Sequence, residues 1–197
     1  MSLMLLSPPA AEPVTLAEVK AHLRVDLPDE DALITGLAVA ARHAVEARGQ
    51  IALIAQAWRF ALDAPPVVEF APFGAAGAGD ITAPLSPVAS IDAVSVVDKA
   101  GATKAVDPAL FETAVGATGR VRALSPWPAP GRKLDGVRID FTAGFPDAAS
   151  VPDDLKQAVM FLAAHFYENR EKAQSERIHS IPDAVDALIA PYRRVRL

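Results

Sequence analysis

Four histidines are the side chains of this sequence with the widest range of chemistry, since histidine can bind a metal or exchange a proton near neutral pH. They lie far apart along the chain, at His22, His43, His165 and His179. Only His165 has a carboxylate, that of Glu168, at helical spacing. Zinc needs several convergent donors, and the chain has no cysteine to supply a thiolate. We therefore expect structural or surface histidines, with no bound metal and no cofactor.

Two acidic groups, Asp29-Glu30-Asp31 and Asp153-Asp154, have the composition of a divalent-metal site or an acid/base pair. Both fall where a helix is predicted to begin, and the helix dipole favours negative charge there. The glycine-rich segment 74–79 lacks the lysine and the following helix of a phosphate-binding loop. No serine-hydrolase, metalloprotease or calcium-loop motif is present. The sequence therefore indicates a protein that is not an enzyme, with an unrecognised site in the β region as the alternative.

The composition indicates a folded chain, because 51% of its 197 residues are apolar and 22% are charged. The net charge is −5, and basic residues are concentrated only at the C-terminus, which argues against wholesale binding of DNA phosphates. Residues 1–6 are apolar, but prolines follow and no basic residue precedes them, so we expect no signal peptide. No run reaches the roughly 18–20 apolar residues of a membrane-spanning helix. We expect a soluble cytoplasmic protein with no membrane partner.

Helix signals dominate the first 55 residues. Thr15 and Glu18 have the spacing of a capping box, which predicts a short helix to about Leu23. Asp29-Glu30-Asp31 and Gly49 bound a second, longer helix. Its apolar and mostly small residues recur every three or four positions, which permits close contact with another helix.

From Gln56 the apolar period changes from that of a helix to that of a strand. Trp58, Phe60 and Leu62 alternate with Arg59, Ala61 and Asp63, as in a half-buried strand. Turn residues, among them a predicted hairpin loop at 116–119, separate the further candidates. These candidate strands are residues 67–70, 94–97, 111–115, 121–124 and 137–141.

Two helices are predicted after the β region. The first extends from Val151 to about Lys172, with Pro152 at its first position and apolar residues nearly all round its middle. A short second helix, residues 184–190, is stopped by Pro191. One stripe of the first helix is predicted to serve subunit packing, in the bundle and in the oligomer: Leu155, Val159, Leu162 and Phe166.

The order of these elements predicts an α+β fold. We expect residues 1–55 and 146–197 to form one helical bundle, and residues 56–145 to form a short-stranded β insertion in it. The whole chain is expected to be a single compact unit, since its length is that of one domain.

Two segments have the residue types of contact surfaces. Trp127 lies in the proline-rich stretch 125–130, which either holds the ring outward as a contact or lets it cover the sheet. The last residues, 191–197, combine a tyrosine, three arginines and apolar spacers, types that anchor protein interfaces. A solvated, frayed terminus is the alternative. A DNA-binding packaging factor is a further alternative. It would use Arg193, Arg194 and Arg196.

Several segments, in order along the chain, resemble the head-tail connector (adaptor) proteins of tailed bacteriophages, in the longer type that carries a β insertion. They are residues 13–24 with 29–33, 56–58, 141–145, 151–171, and 181–182 with 188–194. Residues 72–87 and 125–133 match no segment that we can name. The resemblance therefore covers nearly the whole chain but leaves the middle of the β region without a predicted partner.

This resemblance implies a structural adaptor that docks beneath the portal of a filled capsid as a ring of about twelve copies. Its far side would meet a stopper or other neck or tail protein, and DNA would pass through the lumen without specific binding. Its location would be the neck of a phage, prophage or gene transfer agent particle, after assembly in the bacterial cytoplasm. Family members engage the portal through the C-terminal helix and tail. By position, the portal-binding residues are Leu188, Ile189, Pro191, Tyr192, Arg193, Arg194, Val195, Arg196 and Leu197.

Overall fold

The computed structural model describes residues 1–68, 77–169 and 183–193. It divides the chain into two compact units rather than the single unit expected from its length. One unit, the β unit, comprises residues 1–8 and 55–144, and the other, the helical unit, comprises residues 9–54 and 145–197. The α+β architecture is confirmed, with a β-rich region placed in sequence between helical segments.

The β unit is built on a five-stranded antiparallel sheet of order β1-β2-β10-β6-β7. A smaller sheet of order β5-β9-β8 and the short β3-β4 pair complete the unit. The strands are β1 Ser2–Ser7, β2 Gln56–Leu62, β3 Val67–Val68, β4 Gly77–Ala78, β5 Ile81–Thr82, β6 Val88–Val97, β7 Thr103–Ala105, β8 Phe111–Ala114, β9 Arg120–Ala123 and β10 Val137–Ala143. Four of these, β1, β4, β5 and β7, have no counterpart among the strands predicted from sequence.

The core of the β unit follows from the alternation seen in its central strands. Strand β10 lies between β2 and β6, and Ile139 stands opposite Phe60 on one side and Val94 on the other. These side chains share one face of the pleated sheet, which concentrates apolar area where water is excluded. The fully or nearly buried members of this core are Leu62, Ile81, Val94, Val96, Val106, Val121, Val137 and Ile139.

The predicted hairpin loop joins β8 to β9, which pair antiparallel from Phe111 opposite Ala123 to Ala114 opposite Arg120. Gly116 adopts φ +113°, a conformation that favours glycine, so the turn chemistry inferred from the sequence is present.

Residues 2–7 correct the predicted domain boundary, because they form β1 at the edge of the five-stranded sheet instead of joining the helices. Leu3 pairs with Phe60 and Leu5 with Trp58 of β2. The segment from Leu3 to Leu6 is continuously apolar, so it has no two-residue period that would reveal a strand. Its pairing is a long-range event that the local sequence does not encode.

The helical unit contains α1 Leu16–Leu23, α2 Asp31–Gly49, α3 Asp153–Glu168 and α4 Asp183–Ile189. The predicted capping box is present, since the Thr15 hydroxyl accepts from the Glu18 amide and the Glu18 carboxylate accepts from the Thr15 amide. Gly49 is the last residue of α2, and Gln50, at φ +53°, makes the left-handed exit. Helix α3 begins after Pro152, and residues 170–172 of the predicted helix lie outside the described part.

Helices α2 and α3 supply most of the helical unit's core. Leu155, Val159 and Leu162 are fully buried in it, and Phe166 packs against it while remaining partly exposed. Burying a leucine-sized side chain contributes about 1.5–3 kcal/mol, so this stripe alone is a large part of the unit's stability. No described helix is both long and apolar enough to span a bilayer.

Candidate docking site

The C-terminal end of the helical unit is a short helix followed by a single tight turn. Helix α4 has only seven residues, too few to be stable in isolation. Its Val185 and Ile189 are fully buried, and they anchor it to the core. At the end of α2, a side chain on Gly49 would come within 3.0 Å of Ile189, so a glycine there permits the close approach of α4.

Helix α4 ends at Ile189, within one residue of the predicted end before Pro191, and the chain continues through a 3₁₀ turn, Ala190–Tyr192. Pro191 takes an early position of this turn, where its missing N–H is not needed. Tyr192 packs against the core. Burial raises the pKa of its phenol, and the nearby carboxylate of Asp154 adds to the increase.

The carboxylate of Asp186 on α4 joins two arginines from different parts of the unit. Arg48 of α2 donates from Nε to Oδ1 at 2.8 Å and from Nη2 to Oδ2 at 2.6 Å, a bidentate geometry. Arg193 donates from Nη2 to Oδ1 at 2.6 Å. The hydrogen bond from Arg48, followed by that from Arg193, lowers the pKa of Asp186 to about 2, so the carboxylate is ionised at any physiological pH.

The structure separates the predicted portal-binding residues into three groups. Ile189 is fully buried in the helical core, which corrects its predicted role as a direct contact, because no partner can reach it while the unit is folded. Leu188, Tyr192 and Arg193 are partly buried, and Pro191 is exposed. The remaining predictions, Arg194, Val195, Arg196 and Leu197, lie outside the described residues.

Three residues of the predicted packing stripe of α3, Leu155, Val159 and Leu162, are buried in the subunit's own core, whereas Phe166 is partly exposed. A different residue of α3, Phe161, remains 38% exposed. Its ring lies 5.6 Å from that of His22 on α1, in a tilted arrangement. Among α3 residues, Phe161 therefore offers a large apolar side chain on the outside of the unit.

Strand β1 is an exposed apolar surface that the sequence reasoning missed as a site. Leu3, Met4, Leu5 and Leu6 are each between 38% and 51% exposed, although they are part of a paired strand. Because β1 is the edge of its sheet, one side of its backbone has no neighbouring strand among the described residues. The available signal in the sequence was the run of four large apolar residues, which is unusual for a surface segment.

Trp127 covers the β unit rather than projecting from it. It packs against the β core and lies nearly parallel to Phe111, with ring centroids 6.5 Å apart and an interplanar angle of 17°. Of the two interpretations of the proline-rich stretch, the structure therefore favours the covering role.

The acidic groups considered for metal or acid/base chemistry lie at helix starts. Asp31 begins α2 and pairs with Lys20 Nζ at 2.5 Å, and Glu30 accepts a hydrogen bond from the Tyr167 hydroxyl. Asp153 and Asp154 occupy the first turn of α3. Within residues 1–68, 77–169 and 183–193, no three acidic or histidine side chains gather into a group that could hold a metal ion.

Comparison with known proteins matches this C-terminal region to one family and the whole chain to one kind of particle. The model of the Phage gp6-like head-tail connector family matches residues 131–193. A chain in the virion of a native gene transfer agent particle is 31% identical, with a TM-score of 0.76, and the match covers 100% of this chain and 97% of that one. The chain belongs to the head-tail connector family.

Two further solved structures match this connector over the same extent, 100% of its length and 97% of theirs. One is the neck of an empty gene transfer agent particle computed with C6 symmetry, at 32% identity and a TM-score of 0.76. The other is the neck of a native particle computed with C12 symmetry, at 30% identity and a TM-score of 0.73. No curated protein matches the chain.

Family membership makes this connector a structural adaptor protein. The matched segment contains α3, α4, Tyr192 and Arg193, so the Asp186 cluster lies within the part that the family model describes. Neither the family nor the similar structures favour the DNA-binding alternative. One of its three arginines, Arg193, already forms an ion pair with Asp186.

Proposed function

We propose that the connector docks as a ring of copies beneath the portal of a capsid and joins it to a stopper or other neck protein, without catalytic turnover. The observation that carries this proposal is the match over the full length of the chain to proteins in a solved virion and two solved necks of gene transfer agent particles. The proposed location follows: the particle neck, after assembly in the bacterial cytoplasm. An adaptor acts through the shape and chemistry of its contact surfaces.

A ring of about twelve copies is the proposed oligomer, supported by the C12 symmetry of a similar neck. A ring closes through a head-to-tail interface, in which two different patches of each copy meet. The exposed apolar side chains of β1 provide area for one such patch, because burying them against a neighbour removes them from water. We propose that β1 packs on the adjacent copy.

We assign the portal contact to Pro191, which is exposed, and to the residues that follow it in sequence. Tyrosine and arginine side chains anchor interfaces by combining contact area with directed hydrogen bonds. Tyr192 and Arg193 are each partly held by the helical unit, so they form the fixed base of this element. Leu188 is a partly exposed neighbour at the same end of α4.

DNA is proposed to pass through the ring without specific binding. The chain carries a net charge of −5, and walls of the same sign as phosphate do not retain a moving duplex. The helical unit is the more acidic of the two, since most carboxylates of the chain fall within its sequence ranges.

Deleting residues 194–197 tests the portal assignment while sparing Tyr192 and Arg193, which pack on the unit. The expected result is DNA-filled capsids without tails, with the tailed fraction lower by about tenfold or more, since interface anchors dominate binding energy. Electron microscopy of particles from complemented producing cells measures that fraction. Replacing the four residues with Gly-Ser-Gly-Ser controls for chain length and should lower the tailed fraction to the same extent. Normal tail attachment in both variants would refute the assignment.

A further inference from the structure

The carboxylate of Asp186 connects Arg193, in the C-terminal element formed by residues 191–197, to the rest of the helical unit. Asp186 sits on α4, and its partner Arg193 is the first residue after the final turn. Arg193 has extended backbone angles, φ −68° and ψ 135°, and its amide donates to the Ala190 carbonyl at 3.2 Å. The main chain therefore leaves the turn at Arg193 while the side chain of this residue reaches back two helical turns to Asp186.

The other arginine on Asp186 makes this attachment rigid. Arg48 belongs to α2, the longest of the described helices, and donates to both carboxylate oxygens of Asp186. A carboxylate held in two bonds by one arginine is fixed in orientation, so its third bond, to Arg193, has a defined direction. Tyr192, the residue before Arg193, packs on the helical core. Two consecutive side chains, those of Tyr192 and Arg193, are thus held by the helical unit.

We propose that Asp186 is a positioning residue for docking: through its bonds to Arg48 and Arg193, it holds Arg193 and the preceding turn, Ala190–Tyr192, in place on the helical unit. This inference rests on the proposed portal-binding role of residues 191–197. In the free protein, the ion pairs of Asp186 with Arg48 and Arg193 keep Tyr192 and Arg193 in the orientation that binds the portal. The portal therefore does not have to select that orientation from a broader ensemble. Loss of these ion pairs reduces the fraction of molecules that hold the binding orientation, and the apparent affinity for the portal falls by the same factor.

The test compares D186N with D80N, a control that the chain itself supplies. Asp80 also lies beside two arginines, accepting from Arg122 at 2.7 and 2.8 Å with Arg120 at 3.8 Å, and the side chains of Asp80 and Asp186 are 26% and 27% exposed. Asp80 belongs to the β unit. Both substitutions therefore remove one carboxylate charge and weaken one bidentate arginine contact, but only D186N also weakens a hydrogen bond to Arg193.

Binding of each purified variant to DNA-filled, neckless capsids is titrated, with thermal unfolding as a check on folding. We expect D186N to bind roughly three- to tenfold more weakly than wild type, D80N to bind within about twofold, and D186E to recover part of the loss. Hydrogen exchange at residues 190–193 should rise in D186N and not in D80N.

Three outcomes overturn the inference: D186N binds like wild type, both variants lose affinity equally, or the binding loss in D186N occurs without faster exchange at residues 190–193. The deletion of residues 194–197, run in the same titration, distinguishes failure of the portal assignment from failure of the positioning role of Asp186. If the deletion has no effect on binding, the portal assignment itself is wrong. If the deletion abolishes binding while D186N does not weaken it, only the positioning role of Asp186 is wrong.

Discussion

At the scale of single residues, side chains whose partners are close in sequence were predictable. Thr15 and Glu18 form their capping box because the spacing alone brings hydroxyl, carboxylate and amides together at a helix start. The role of Ile189 was not predictable in this way. A seven-residue helix is too short to show an apolar stripe, so whether Ile189 faces a core or a partner depends on where α2 and α3 lie. The bond from Arg48 to Asp186 spans 138 positions and left no local signal.

Substituting adjacent residues of α4 tests this reassignment. I189A should lower the free energy of unfolding by about 2–5 kcal/mol, because it opens a cavity in the helical core. L188A should cost roughly 1 kcal/mol or less, since Leu188 already contacts water. Urea unfolding followed by circular dichroism at a helix wavelength measures both losses. Both tryptophans lie in the β unit, so their fluorescence would not follow the helical unit. Equal losses in the two variants would show that Ile189 is not a core residue.

At the scale of elements, the apolar periodicity of the sequence predicted strands that bury one face. Strands β2 and β10 were found within a residue or two of their predicted bounds, and β10 alternates between buried and partly buried residues along its length, as its two-residue period predicted. Strand β1 lacked that alternation because it is exposed along its whole length and is held by pairing with β2. Strand β7, three exposed residues at the other edge, escaped prediction for the same reason. Edge strands depend on backbone bonding more than on side-chain burial.

The double variant M4S/L6S tests the proposed packing of β1 between copies. These two residues are the most exposed of the apolar run Leu3–Leu6, so their replacement should leave the fold of the subunit intact. We expect unfolding temperature to change little and ring assembly in the neck to fall sharply, because the interface loses apolar area. L134S, which removes a 67% exposed leucine elsewhere in the β unit, is the matched control. The measurement is the number of assembled necks, counted by electron microscopy. Equal numbers from M4S/L6S and L134S would show that β1 is not an interface between copies.

At the scale of the whole molecule, the sequence predicted the connector family but not the division of the chain into two compact units. The ordered matches along the chain indicated the family, and a family model with structures at about 30% identity supports it. The number of compact units was beyond such reasoning, because length alone cannot say whether an insertion shares a core with its surroundings. Here the two cores have different members, one from β strands and one from helices. The wrong assignment of residues 1–8 follows from treating sequence neighbours as structural neighbours.

The central claim, a ring of connectors that meets the portal with its C-terminal ends, is tested most directly by electron cryomicroscopy of particle necks without imposed symmetry. The reconstruction should show about twelve copies of the chain in one ring next to the portal, as the C12 neck of a similar protein suggests. Density for residues 191–197 should contact the portal in every copy. A ring in which these residues point away from the portal, or a neck without such a ring, would contradict the account.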